Sequence, residues 1–346
     1  MSTLSPITRS ALGPRDLLSS RDLSDHDWQG LLAAAETLAG DKGRRPLLAG
    51  KRFGLLLLNP SLRTRTSFTV ACFDLGALAV PLTPGQGLWQ LAHGSETMDG
   101  AAAEHVAEAV PVLSSMLDGL GVRAFAALQD PAVDASEPIF SAIVKASTVP
   151  VLNLESAIDH PHQGLADALT ARRHLRGERS KVVVTWAPHI KPLPRAVPHS
   201  AVCALVREGH DVVVAHPPGF ELDDGVTHWA EQAAARQGGS FSVTHDRAAA
   251  LDGARIVYAK SWGSSNFYGD AASGATAVAE PAHWRVTAAD MEATDHGAFM
   301  HCLPVRRGVV VDAAVLESTS SLVVPQAAAR LDVQRATLCR ACGVQP

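Results

Sequence analysis

Short apolar runs alternate with longer, alanine-rich amphipathic stretches along nearly the whole chain, and this alternation limits the possible folds more than any single motif does. Residues 53–58, 78–82, 122–128, 149–154, 181–186, 211–216, 255–260, 298–303 and 321–325 read as strand candidates, mostly continuous apolar runs. Such strands need cover on both faces, which a parallel sheet packed between helices provides. The expected class is α/β, with two domains, each a parallel sheet flanked by helices, and an active-site cleft between them. A length of 346 residues suits two domains with buried cores. The boundary is expected at the loop and helix near residue 160, dividing the chain into 1–157 and 158–325. A C-terminal helix within 326–346 is expected to pack back on the first domain.

Charged residues make up 19% of the chain and the net charge is −5, which excludes a general nucleic-acid binder and makes any local arginine cluster informative. Five scattered cysteines, Cys72, Cys203, Cys302, Cys339 and Cys342, suit reduced thiols in the cytosol over a disulfide framework. Cys339 and Cys342 have a C-x-x-C spacing, but no second pair accompanies them to complete a metal site. The opening "MSTLSPITRSALGPRD" lacks an apolar signal core, and no apolar stretch approaches the roughly 20 residues needed to cross a membrane. A cytoplasmic protein is expected.

Polar residues cluster where strands end: Ser61 and Arg63, Glu155 and His160, His189, Lys260, and Cys302. In open α/β sheets ligands bind beyond the carboxyl ends of the strands. The densest cluster is "NPSLRTRTSF", where Pro60 stops a strand and Ser61 can cap a helix. The free N–H groups of such a helix start, with Arg63 and Arg65 beside them, form an anion site. An ordinary capped helix with solvated arginines would have the same sequence, and neither a P-loop nor a G-x-G-x-x-G pattern is present to decide.

Three segments in order decide it by resemblance. "SLRTR" resembles the carbamoyl-phosphate loop of the aspartate and ornithine transcarbamylases, "HPHQGLAD" (residues 160–167) resembles their H-P-x-Q-x-L-A-D, and "HCLPVRR" (residues 301–307) resembles the ornithine-type H-C-L-P signature. "MDG" followed by "EH", "GVRAF", "TWAPHIKPLP" and "YAKSWG" are similar to the branch that uses N-acylated ornithine. A binding protein that had left catalysis would have lost part of this set.

The resemblance implies a carbamoyltransferase of arginine biosynthesis that needs no metal, cofactor or covalent intermediate. Its substrates would be carbamoyl phosphate and an N-acylated L-ornithine. The implied phosphate turn is Ser61, Leu62, Arg63 and Thr64. Thr64, Arg123 and His160 would donate to the carbamoyl oxygen as it gains charge, and Gln163 would hold the carbamoyl amino group. Pro161, His162, Cys302, Leu303 and Arg330 complete the donor side, with Arg63 and Cys302 among the catalytic set. A nucleophilic Cys302 and metal-binding His160 and His162 are the competing readings; neither fits a reaction without an acyl-enzyme step or a third metal ligand. Glu155, His189, Lys260 and Arg306 would bind the acceptor. Trp89 and the Ala103 segment would reach a neighbouring subunit's site in a homotrimer.

In the same resemblance, acetyl-type members carry a glutamate at the position of Ala103 and a lysine at that of Val310. A glutamate would repel the free carboxylate of a succinyl group, whereas alanine leaves space and no charge. Pro194 also matches the succinyl type, while "RTRTSF" is closer to the acetyl type. N-succinyl-L-ornithine is the favoured acceptor and N-acetyl-L-ornithine the alternative. Plain ornithine fits less well, because "SWGSSNFYG" replaces the S-M-G loop of that type.

Overall fold

The computed structural model describes residues 15–40, 45–84, 87–95 and 97–346, so the reading of the N-terminal leader lies outside the described residues. The chain divides into two compact units. The first takes in residues 1–127, 132–162 and 330–346; the second takes in 128–131 and 163–329.

In the first unit the strands are β1 (Arg52–Leu57), β2 (Leu78–Pro84), β3 (Gly87–Leu88), β4 (Leu91–Ala92), β5 (Glu104–His105), β6 (Gly119–Arg123) and β7 (Val151–Glu155). Five of them form a parallel sheet in the order β3-β2-β1-β6-β7, and β4 and β5 pair separately as a small parallel ribbon. Central β1 buries Phe53, Leu55, Leu56 and Leu57, as a strand covered on both faces must. The strand expected at 122–128 instead occupies Gly119–Arg123. Its glycines, which resemble a turn in sequence, are imposed by packing: a Cβ on Gly119 would lie 2.8 Å from the Phe53 ring, and one on Gly121 2.7 Å from Leu154.

The second unit contains β8 (Lys181–Trp186), β9 (Asp211–Ala215), β10 (Ser240–Thr244), β11 (Ile256–Lys260) and β12 (Ala298–Met300), parallel in the order β10-β9-β8-β11-β12. Sequence patterning misses β10, because "SFSVT" is an edge strand, largely exposed and polar. It also misreads 321–325 as a strand. Ser321 makes one isolated bridge to Phe299, and Val323 starts the helix Val323–Ala341. Pro325 sits in the first turn of that helix, where its missing N–H costs nothing.

No helix among the described residues is long and apolar enough to cross a membrane.

Candidate active site

Each unit carries part of the expected site. In the first, Ser61 caps the helix Leu62–Asp74, its hydroxyl accepting the Thr64 N–H at 3.3 Å. The capped start leaves the N-terminal amides of a 13-residue helix at the end of β1, the arrangement that favours an anion. Leu62 is 79% exposed, so it offers its backbone to this turn and not its side chain to the core. Thr64 is fully buried, and its hydroxyl accepts from the Arg330 guanidinium at 2.9 Å.

Arg123 ends β6 and is buried. Its guanidinium donates to the Glu155 carboxylate and lies 4.2 Å from the centre of the Phe125 ring. The same Glu155 oxygen is 3.5 Å from His160 Nε2. Glu155 holds φ at +136°, a conformation that costs energy in a non-glycine residue and persists where surroundings enforce it. Here Asn153 accepts the Glu155 N–H at 2.9 Å, and the Glu155 carbonyl accepts the Ala124 N–H at 2.9 Å. The loop that follows is tied down by Asp159, which accepts from Ser19 Oγ at 2.6 Å and Ser20 N–H at 2.7 Å. Glu137 also accepts the Ile158 N–H at 3.1 Å.

His160 is buried, and its proton affinity is held well below the usual histidine value, first by burial and then by the positive charges of Arg330, Arg123, His162 and Arg63. Arg123 and His160 share the Glu155 carboxylate, and Arg330 meets Thr64 in the first turn of the helix Leu62–Asp74. The potential there is positive, suited to an anion. Pro161 begins the helix Pro161–Leu175. His162 is different from its neighbour: Nδ1 meets the Asn153 carbonyl at 2.8 Å and Nε2 meets Thr337 Oγ1 at 3.0 Å. Both ring nitrogens are engaged within the fold. Among the described residues no group of three or more His, Cys, Asp or Glu side chains could hold a metal ion.

Trp89 and Ala103 come together around the β4–β5 ribbon. The Ala103 N–H donates to the Gln90 carbonyl at 3.2 Å, and the Trp89 indole, 55% exposed, donates to Glu104 at 2.9 Å.

In the second unit, His189, Lys260 and Arg306 form one group. Arg306 Nε donates to His189 Nε2 at 3.3 Å, while His189 Nδ1 faces the Lys191 carbonyl at 2.9 Å. These contacts define a neutral ring protonated on Nδ1. Burial first, and then the charges of Lys260, Arg306 and Lys191, keep its proton affinity low. Lys260 ends β11 with 8% exposure, and among the described residues no carboxylate lies within 4 Å of its ammonium. Within the first unit, Glu155 is grouped with Arg123 and His160. Val310 is buried in an apolar cluster with Ala187, Ala259 and Phe299.

Gln163 donates to Asp167 at 2.8 Å, and Gln326 donates to the same Asp167 oxygen at 2.7 Å. Cys302 is buried, and Leu303 follows it with φ at +55°, its N–H bound to His301 Nδ1 at 2.9 Å. Sequence reasoning passed over Asp167 and Gln326. Asp167 lay within a quoted motif, but its partner is 159 positions away.

Residues 15–173 match the family description "Aspartate/ornithine carbamoyltransferase, carbamoyl-P binding domain", and residues 195–341 match "Aspartate/ornithine carbamoyltransferase, Asp/Orn binding domain". The chain is 39% identical to the N-acetylornithine carbamoyltransferase of Xanthomonas campestris pv. campestris, covering 95% of this chain and 98% of the relative. It is 36% identical to the N-succinylornithine carbamoyltransferase of Bacteroides thetaiotaomicron, covering 88% and 92%. Among solved structures, a glutamate-to-alanine variant of N-acetyl-L-ornithine transcarbamylase, complexed with carbamyl phosphate and N-succinyl-L-norvaline, superposes with a TM-score of 0.90. The identity there is 39%, and the match covers 93% of this chain and 98% of the other. With both domains matched and relatives aligned over nearly its full length, the chain belongs to the aspartate/ornithine carbamoyltransferase family and is a carbamoyltransferase.

Proposed function

We propose that the protein transfers the carbamoyl group of carbamoyl phosphate to the side-chain amine of N-succinyl-L-ornithine, giving N-succinyl-L-citrulline and phosphate in arginine biosynthesis. The observation that carries the donor half is the capped helix start at Ser61, where Arg330 meets buried Thr64, together with the buried Arg123–Glu155–His160 group. The helix amides and Arg63 hold the phosphate. Thr64, Arg123 and His160 donate to the carbamoyl oxygen. As the amine attacks, negative charge grows on that oxygen, and donors already fixed there stabilise the tetrahedral intermediate more than the planar ground state. The C–O bond to phosphate then breaks, the new C–N nitrogen gives up a proton to the leaving phosphate, and the charge of the phosphate is held by the same amides and arginines. No covalent step is assigned to Cys302; it and Leu303 line the site near the amine.

His189, Lys260 and Arg306 bind the acceptor; the cations Lys260 and Arg306 suit carboxylates, and neutral His189 donates or accepts a hydrogen bond beside them. N-succinyl-L-ornithine brings two carboxylates and N-acetyl-L-ornithine one, so the cluster favours the succinyl compound. Ala103 favours it too, since a solved transcarbamylase variant with alanine in place of one glutamate holds N-succinyl-L-norvaline. The acetyl acceptor is the second reading, supported by the 39% identity to an N-acetylornithine enzyme.

Ala103→Glu tests the choice. A like charge against the succinyl carboxylate costs several kcal/mol, so kcat/KM for N-succinylornithine should fall about 100-fold or more while N-acetylornithine changes little. Full retention of succinylornithine activity in the variant contradicts the charge argument.

The active assembly is proposed to be a homotrimer in which Trp89 and the Ala103 segment serve a neighbouring site. Supporting this, Trp89 is exposed, and the helix Leu62–Asp74 leaves Val70 and Phe73 open to solvent. Light scattering should give three times the 36.3 kDa chain mass; a monomer active at the same specific rate would overturn it.

A further inference from the structure

Resting on the carbamoyl-phosphate reading above, we propose that Asp167 and Gln326 are positioning residues that fix the polarity of the Gln163 amide, and that this polarity selects a carbamoyl over an acetyl phosphate.

The contacts form a one-way chain. The backbone N–H of His301 can only donate, and Gln326 Oε1 accepts it at 2.9 Å. That fixes Gln326, whose amide nitrogen donates to Asp167 Oδ1 at 2.7 Å. A carboxylate oxygen can only accept, so Gln163 must also turn its nitrogen towards Asp167, at 2.8 Å. The Gln163 oxygen is therefore the pole turned away from Asp167. Gln163, Asp167 and Gln326 are each no more than 1% exposed, so no solvent competes to invert either amide. An amide without such partners has nearly the same shape in both orientations, and only its hydrogen bonds choose between them.

The consequence is chemical. Carbamoyl and acetyl phosphate differ by an NH2 in place of a CH3. An amide oxygen accepts from the NH2 and has nothing to accept from a methyl. A site built around a buried acceptor rejects an analogue that leaves it unpaired. Inverted, Gln163 would set donor against donor and lose the distinction. Gln326 also joins the segment at 163–167 to the one at 301–303, since Leu303 is in turn bound to His301.

The test is equilibrium binding of carbamoyl phosphate and acetyl phosphate by calorimetry to the full-length protein. The wild type should prefer carbamoyl phosphate by about tenfold or more. Asp167→Asn alone should keep the preference, because the locked Gln326 nitrogen holds the asparagine oxygen where the Asp167 oxygen stood. Asp167→Asn with Gln326→Met, in which nothing fixes the asparagine, should shrink the preference to about threefold or less through weaker carbamoyl phosphate binding. Adding Gln163→Glu to that pair should restore it: the asparagine then donates, and the glutamate, which only accepts, again presents an oxygen. A wild type without preference, an equal loss for both phosphates in the Asp167→Asn/Gln326→Met variant, or a triple variant no better than that double one would overturn the proposal. A wild type that prefers carbamoyl phosphate but carbamoylates no acylornithine would fault the acceptor reading instead.

Discussion

Arg123→Met is expected to lower kcat/KM for carbamoyl transfer by roughly 100- to 1,000-fold and to destabilise the protein by about 3 to 5 kcal/mol. The two losses have separate causes. In the proposed reaction Arg123 donates to the developing oxyanion, so its loss removes stabilisation available only in the transition state. Removing the guanidinium also leaves the Glu155 carboxylate, 9% exposed, without the cation that balances it. A second substitution separates them. In Arg123→Met/Glu155→Gln the buried charge is gone, so much of the stability should return while activity stays low. Recovery of activity alongside stability would mean that Arg123 serves the fold and not the reaction. The experiment is a urea titration paired with initial rates on the same preparations.

Acid should destabilise the protein well before its carboxylates titrate in bulk. Burial keeps His160 well below its usual value, pushes His162 down to about 3 and His210 down to about 4. In the unfolded chain each titrates near 6.5, so below that pH the unfolded state binds protons that the folded state refuses. Stability from these groups is complete above about 6.5 and is lost as pH falls, at about 1.4 kcal/mol per pH unit for each. Glu137 works the other way: burial pushes its carboxyl up to about 7, so its contribution is present below the unfolded value and is lost as pH rises through about 7. Three histidines against one carboxyl leave a net loss of about 3 kcal/mol between pH 6.5 and 5. His210, whose two ring nitrogens have no hydrogen-bond partner among the described residues, offers the cleanest check. His210→Phe should flatten the slope of stability against pH in this range by roughly 1.4 kcal/mol per unit. Urea midpoints that do not move between pH 7 and 5 would contradict the account.

The elements legible in sequence were those whose cause is local. β8 is found residue for residue because "KVVVTW" has a run of three valines and a tryptophan, and the strand is buried in the middle of its sheet. The capped helix start is legible because Pro60 and Ser61 signal a strand stop and a cap within two positions. Long-range partners left no such trace. Arg330 reaches Thr64 across 266 positions and Gln326 reaches Asp167 across 159, and nothing near either residue marks the meeting. His162 is a further case: its ring meets the Asn153 carbonyl and, 175 positions away, the Thr337 hydroxyl, and neither contact is marked in its own motif. The misread strand at 321–325 has the same origin, since Val323 and Val324 favour strands locally while the helix they begin is decided by its packing.

The most direct test of the central claim is a competition in one tube. Carbamoyl phosphate labelled with carbon-13 in its carbonyl is mixed with equal concentrations of N-succinyl-L-ornithine, N-acetyl-L-ornithine and L-ornithine, and the product ureido carbons are followed by NMR. The account predicts that the label appears first and mainly in N-succinyl-L-citrulline. Label chiefly in N-acetyl-L-citrulline would contradict the assigned acceptor while leaving the donor site standing, and label in none of the three from folded protein would contradict the proposed reaction itself.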